Sequence, residues 1–148
     1  MTLPISRDDI AAAYRRIAGR VRRTPVWSLP GGFGHDGPVS LKLEFLQAAG
    51  SFKPRGAFNT LLSHPIPAAG VAAASGGNHG AAVAYAAREL GVPARIFVPE
   101  ISSPAKIAAI RSHGAEIVIG GARYADAQAA CDLYVAETGA LRVHPFDA

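Results

Sequence analysis

The chain has little cysteine, little lysine and no long apolar run, and each shortage excludes something. Its single cysteine, Cys131, excludes an intramolecular disulfide and indicates a reducing compartment. No run of about 18 apolar residues occurs, so no membrane span is predicted. The first ten residues lack the apolar core of a signal peptide, so we expect a cytoplasmic protein.

The net charge of +4 is modest, although arginines cluster near the N-terminus. The cluster has no interleaved aromatic residues and no recognised nucleic-acid motif, so a solvated helix face is favoured and no nucleic-acid partner is predicted. Its members are Arg15, Arg16, Arg20, Arg22 and Arg23. Cys131 lies among apolar residues at helical spacing, which favours a buried structural thiol over a nucleophile.

Lysine occurs only at Lys42, Lys53 and Lys106, while arginine supplies the other 12 of the 15 basic residues. Arginine stays protonated in proteins, whereas a desolvated lysine can act as a base or form a Schiff base with a carbonyl. Lys53 stands between an aromatic residue and a proline, where a helix is expected to begin. Residue type alone favours a helix-capping role for this lysine over a chemical one.

From residue 69 onward, short apolar strands alternate with helices. The predicted strands are Val71–Ala74, Ala94–Val98, Glu116–Ile119 and 141–143, and the predicted helices are 80–90, 103–112 and 124–137. Such alternation with brief connections is typical of right-handed crossovers and a parallel sheet. Upstream, Ser6 and Asp9 are expected to cap a first helix, and residues 39–45 are predicted to form a strand. The predicted fold class is α/β, with three layers (α/β/α) around a mainly parallel sheet.

A glycine-rich turn, residues 75–80 (SGGNHG), joins the first of these strands to its helix. In a parallel sheet, ligands bind at the carboxyl ends of strands, and a helix N-terminus offers unpaired N–H groups to an anion. Ser75 and Asn78 add side-chain donors. The turn matches neither a P-loop nor a dinucleotide loop, so its glycines serve either an anion site or a tight turn. His79 is either a general base or a structural imidazole.

Residues 51–57 (SFKPRGA), followed by residues 75–80, closely resemble a known enzyme family. The family is the pyridoxal-phosphate-dependent serine/threonine dehydratases, or threonine ammonia-lyases, of the tryptophan synthase β-like group (fold type II). The similarity extends from Thr24-Pro25 to His144-Pro145. The resemblance therefore implies a tryptophan synthase β-like fold and pyridoxal 5'-phosphate as the cofactor.

The resemblance also implies a role for each matching residue. Lys53 matches the lysine that holds the cofactor as a Schiff base, and Phe52 matches the aromatic residue beside the cofactor ring. Asn78 matches the asparagine that hydrogen-bonds to the ring hydroxyl oxygen. The residues implied to grip the substrate carboxylate are Ser75, Gly76, Gly77, Asn78 and His79. The family's divalent-cation ligands lie beyond the matching region, so no metal site is predicted here.

The implied reaction is a β-elimination, in which L-threonine or L-serine loses water and hydrolysis gives a 2-oxo acid and ammonia. Lys53 would remove the α-proton while the cofactor spreads the negative charge. Serine racemases carry a second serine where this chain has Gly76, and glycine has no proton acceptor, so racemase-like activity is a disfavoured alternative. The implied ligand is a small amino acid, and a homo-oligomer (dimer or higher) is expected.

Members of this family are about twice as long as 148 residues. Their cofactor-phosphate loop lies beyond the matching region, so the chain is interpreted as a truncated version of the fold. Residues 1–66 are expected to form the N-terminal portion of an incomplete large cofactor-binding domain, and residues 67–148 a small α/β domain. Two alternatives stay open: an inactive truncated or split remnant, and a module that binds a small carboxylate without catalysis.

Overall fold

The computed structural model describes residues 5–146. Ser6 and Asp9 form the predicted capping box, because Ser6 Oγ accepts from Asp9 N–H and the Asp9 carboxylate accepts from Ser6 N–H. In chain order the elements are α1 (Arg7–Ile17), β1 (Val26–Leu29), β2 (Val39–Lys42), two 3-10 turns (Glu44–Leu46 and Ala48–Gly50), α2 (Lys53–Ser63), β3 (Val71–Ala74), α3 (Asn78–Glu89), β4 (Ala94–Val98), α4 (Pro104–Arg111), β5 (Glu116–Ile119), α5 (Tyr124–Thr138) and β6 (Leu141–Arg142).

Four strands form one parallel sheet in the order β5-β4-β3-β6. Successive residues of β3 point to opposite faces, as a strand requires. Val71 and Ala73 join the larger core with α2, α3 and α4, whereas Ala72 and Ala74 join the smaller core under α5. Helices therefore cover both faces of the sheet, and the predicted three-layer α/β/α fold is confirmed.

Helix α3 lies at the centre of the molecule and packs against α2, α4, β3 and β4. Its alanines and Gly80 allow this close approach: a Cβ atom on Gly80 would lie 3.1 Å from Ile110 of α4 and 3.1 Å from Ile96 of β4. Helix α1 packs in turn on α2. The predicted boundary at residue 66 falls in the connector between α2 and β3, and the division into two domains there stays a prediction.

The predicted strand over residues 39–45 is too long, because β2 ends at Lys42 and pairs with β1 as an antiparallel hairpin. Glu44 instead opens a 3-10 turn and accepts two hydrogen bonds from Arg55, at 2.7 and 2.8 Å. This charge-assisted pair ties the first turn of α2 to the 3-10 turn that follows the hairpin. Glu44 therefore belongs to a turn that is held by Arg55, and not to the strand.

Two smaller predictions have clear outcomes. All five clustered arginines are exposed, but α1 ends at Ile17, so the last three of them lie beyond the helix rather than on its face. Cys131 is buried under the sheet, as predicted, and burial raises its thiol pKa to about 11.

Within residues 5–146, no helix is long and apolar enough to cross a membrane.

Candidate active site

A cavity of about 460 Å³ opens at the carboxyl ends of the parallel strands, where helices α3, α4 and α5 begin. Its volume lies within the range of roughly 300–1,000 Å³ that is common for small-ligand sites. The residues that line it are Lys53, Ala74, Ser75, Asn78, His79, Lys106, Tyr124, Pro145 and Phe146. The structure thus brings together Lys53 and three residues of the 75–80 turn, although α2 and α3 are separate elements.

Lys53 is the first residue of α2 and is half-buried. Its Nζ donates a hydrogen bond to the carbonyl oxygen of Pro145 at 2.9 Å. Two aromatic rings flank the same nitrogen, with centroids 5.3 Å away for Phe52 and 5.1 Å for Phe146. Phe52 itself does not line the cavity and is 59% exposed.

The 75–80 turn carries the chain from β3 into α3. Ser75 N–H donates to Phe97 O at 2.9 Å, and Ser75 Oγ accepts from Gly77 N–H at 3.2 Å. In the described part of the chain, no side chain caps the first turn of α3. Because no side chain occupies them, the N–H groups of that first turn are available to an anion in the cavity.

His79 has a structural environment. Only 7% of it is exposed, and its Nε2 lies 2.9 Å from the carbonyl oxygen of Val143, just after β6. Burial lowers the pKa of this imidazole, although the Val143 carbonyl opposes the shift. A neutral ring that donates to Val143 joins α3 to the end of the sheet, which favours the structural interpretation over a general base.

Sequence reasoning assigned no site role to five residues of the cavity wall: Ala74, Lys106, Tyr124, Pro145 and Phe146. The scarcity of lysine was a usable signal for Lys106, since two of the three lysines line this one cavity. Tyr124 begins α5, and burial raises its pKa, so its hydroxyl stays protonated. Among the described residues, no group of three or more His, Cys, Asp or Glu could hold a metal ion.

Comparisons with known proteins agree with this geometry. The family model described as pyridoxal-phosphate dependent enzyme matches residues 17–148. An L-threonine ammonia-lyase of Geobacter sulfurreducens is 47% identical over 112 residues, which are 74% of this chain and 28% of that protein. A solved threonine deaminase structure superposes with a TM-score of 0.85 at 39% identity and covers 97% of this chain and 46% of that one.

The structure of a maize serine racemase is also similar, with a TM-score of 0.85 at 33% identity over 95% of this chain and 44% of that one. These solved structures confirm the fold type II architecture for the chain. In each comparison the chain spans less than half the length of the relative that it matches.

Proposed function

Because the chain belongs to the family of pyridoxal-phosphate dependent enzymes, we propose that it carries the lysine and the substrate loop of a serine/threonine ammonia-lyase. The reaction converts L-threonine or L-serine to a 2-oxo acid and ammonia. The observation that carries this proposal is that Lys53 and the 75–80 turn line one cavity at the carboxyl edge of a parallel sheet. The printed names of relatives, L-threonine ammonia-lyase and threonine deaminase, support the substrate class.

The donor set of the cavity fits the cofactor. A primary amine is what the aldehyde of pyridoxal phosphate requires, and Lys53 supplies it beside two aromatic rings. Asn78 supplies an amide for the ring hydroxyl oxygen. The buried Ser51 hydroxyl, two residues before Lys53, has no hydrogen-bond partner among the described residues, but it does not line the cavity.

The residues of the site have separate tasks. When bound, pyridoxal phosphate supplies a conjugated ring that accepts the negative charge left at the substrate α-carbon. Lys53 would hold the cofactor through its Nζ, and the same nitrogen would take the α-proton of the substrate when it is free. The first-turn N–H groups of α3 bind the substrate carboxylate, with Ser75, Gly76, Gly77, Asn78 and His79 shaping that turn.

The overall reaction balances without an oxidant or reductant. The β-hydroxyl leaves with one proton as water, and hydrolysis of the released enamine returns one water. L-threonine therefore gives 2-oxobutyrate and ammonia. Lys53 both removes and stores a proton during this sequence, a task that arginine at the same position would not perform, because its pKa is too high.

The proposal includes a homo-oligomer in a reducing cytoplasm. Large apolar side chains are exposed on the N-terminal part, among them Trp27, Phe33 and Phe45. Exposed apolar surface of this kind supports burial against further chain or a second copy. The free, buried thiol of Cys131 suits a reducing compartment.

The test uses borohydride reduction after incubation with pyridoxal phosphate, followed by peptide mass spectrometry. The label should lie on Lys53, and the Lys53→Arg variant should lose both the label and the visible absorbance of the bound cofactor. Lys42 serves as an internal control, since it lies outside the cavity. Label on another lysine would contradict the assignment.

A 2-oxobutyrate assay with L-threonine then separates the interpretations of the chain. Product in the wild type and none in Lys53→Ala supports the ammonia-lyase. Labelled but inactive protein supports a remnant, whereas amino-acid binding that survives Lys53→Ala without cofactor supports a non-catalytic carboxylate module.

Racemisation is a second candidate, because the maize serine racemase is structurally similar. Gly76 offers no side-chain proton acceptor on this loop. We therefore expect 2-oxo acid to form without D-serine when L-serine is the substrate. Chiral chromatography of the reaction mixture checks this, and D-serine formed at a rate equal to pyruvate would favour the racemase.

A further inference from the structure

Lys106 is a second lysine of the active-site cavity, on a different wall from Lys53. It is the third residue of α4, whereas Lys53 begins α2. Its side chain is exposed and makes no hydrogen bond or ion pair with any residue from 5 to 146. The ammonium group is therefore available to a ligand in the cavity.

The place of Lys106 in its helix runs against local electrostatics. The first turn of a helix is its positive end, where acidic side chains are favoured and cations are disfavoured. The chain follows this rule in α1, which has two acids in its first turn and arginines in its last, and α4 itself ends with Arg111. Lys53 and Arg55 also lie in the first turn of a helix, but Lys53 lines the cavity and Arg55 pairs with Glu44. Lys106 has no acidic partner among residues 5–146, so its place at the start of α4 indicates a use other than helix stability.

The charge of the cavity wall has one sign. Among the described lining residues there is no Asp or Glu, and the titratable groups are Lys53, His79, Lys106 and Tyr124. Burial lowers the pKa of His79, and partial desolvation raises the pKa of Tyr124, so both side chains are neutral at pH 7. In the proposed function the Lys53 amine is engaged with the cofactor, which leaves Lys106 as the lysine whose charge is available to the substrate.

We propose that Lys106, together with the Tyr124 hydroxyl, binds the carboxylate of the amino-acid substrate. This inference rests on the proposed function. A cation and a hydroxyl donor suit an oxyanion, which could be the substrate carboxylate or the cofactor phosphate. The carboxylate is favoured because Lys106 shares the cavity with the 75–80 turn, whose first-turn N–H groups supply the directional donors while the lysine supplies a point charge.

The first experiment needs no cofactor and no turnover. With three lysines in the chain, ¹³Cε-lysine NMR resolves each one. Adding L-threonine should shift the Lys106 resonance and leave that of Lys42 in place, whereas L-threoninamide, which lacks the carboxylate, should shift neither. A Lys106 resonance that responds to pyridoxal phosphate or inorganic phosphate but not to L-threonine would overturn the carboxylate assignment.

The second experiment compares affinities in the holoprotein, measured from the absorbance change on ligand addition. Lys106→Gln should bind L-threonine roughly tenfold more weakly, with less than about a twofold change for L-threoninamide. Arg111→Gln, which removes the same charge from the other end of α4, should change neither affinity, and Lys106→Arg should retain most of the binding. Equal losses for the acid and the amide would overturn the proposal.

The two proposals fail separately. If L-threonine moves the Lys106 resonance but the holoprotein releases no 2-oxobutyrate, the carboxylate site stands and the ammonia-lyase assignment falls. If 2-oxobutyrate forms and Lys106→Gln still prefers L-threonine to L-threoninamide as the wild type does, the ammonia-lyase assignment stands and the role of Lys106 falls.

Discussion

The hydroxyl of Ser102 fills the space that a side chain on Gly76 would need. A Cβ atom at position 76 would lie 1.8 Å from Ser102 Oγ, 2.7 Å from Ser102 Cβ and 3.2 Å from Val98 Cγ1. Ser102 belongs to the connector between β4 and α4, so a residue from another strand's end supports the back of the 75–80 turn. Glycine at position 76 and serine at position 102 thus form a matched pair.

We expect Gly76→Ala to lower the free energy of unfolding by about 1–3 kcal/mol, because the added methyl group meets Ser102. Combining it with Ser102→Gly should recover at least half of the loss, since that change removes both clashing atoms. Gly120→Ala is the control: within the described structure, a Cβ there meets no atom inside 4 Å. Urea unfolding measures all four proteins, and a Gly76→Ala variant as stable as Gly120→Ala would contradict the pairing.

The Glu44–Arg55 pair should make the free energy of unfolding depend on pH in the acid range. Hydrogen bonds from Arg55 lower the pKa of Glu44 from 4.5 to about 2, although burial opposes this. A carboxyl group whose pKa is lower in the folded chain than in the unfolded chain stabilises the fold at pH values above the unfolded pKa. This stabilisation is lost as the pH falls from 4.5 towards 2. At pH 7, Glu44→Gln should cost about 1.5–3 kcal/mol, and the difference from wild type should shrink over that acid range in chemical unfolding.

A surface pair provides the comparison for this prediction. Glu116 accepts from Arg95 at 2.6 Å, but its side chain is 59% exposed, against 18% for Glu44. Glu116→Gln should therefore cost less than about 1 kcal/mol at pH 7. Equal costs for the two glutamine variants would show that burial of the Glu44–Arg55 pair adds nothing.

The contribution of His79 to the free energy of unfolding should depend on pH. His79→Ala removes a buried ring and its bond to Val143, so we expect a loss of about 2–4 kcal/mol at pH 7. Because burial lowers the folded pKa below 6.5, the unfolded chain binds the proton more readily, and wild-type stability falls as the pH drops below 6.5. The gap between wild type and variant should therefore narrow from about pH 7 to about pH 5.

The exposed His64, at the end of α2, is the control for that experiment. His64→Ala should change the unfolding free energy at pH 7 by less than about 0.5 kcal/mol. A gap for His79→Ala that widens as the pH falls would contradict a neutral, buried imidazole.

Cys131 should be inert in the folded chain. Burial raises its pKa to about 11, so very little thiolate exists at pH 8, and the sulfur is covered by α5 and the sheet. Iodoacetamide should label it within minutes in urea and only at the rate of global unfolding in native buffer. Mass spectrometry follows the single adduct, and rapid native labelling would contradict this.

The α/β half of the fold could be predicted because its signals are local. The strands β3, β4 and β5 begin and end at the predicted residues, since each is a short, mainly apolar segment with glycine, proline or serine next to at least one of its ends. The β1–β2 pairing gave no such signal, and residues 39–45 look extended until the Arg55 partner of Glu44 is known. Long-range partners of this kind do not appear in local periodicity.

The candidate site divides in the same way. Lys53, Ser75 and Asn78 could be predicted from two motifs, and the structure places all three on one cavity. Lys106 and Tyr124 reach that cavity only because parallel strands bring the starts of successive helices to one edge of the sheet. Which of their side chains line the wall depends on packing that no single motif describes.

The hydrogen bond from Lys53 to Pro145 also has a consequence for how the molecule assembles. It joins positions 92 residues apart, whereas the 75–80 turn forms between adjacent elements. Contacts of such large sequence separation are costly to close and tend to form late in folding. Because the ribosome synthesises the chain from the N-terminus onward, Lys53 emerges long before Pro145 does. The amine should therefore stay uncovered through most of synthesis and become enclosed only after β6 joins the sheet.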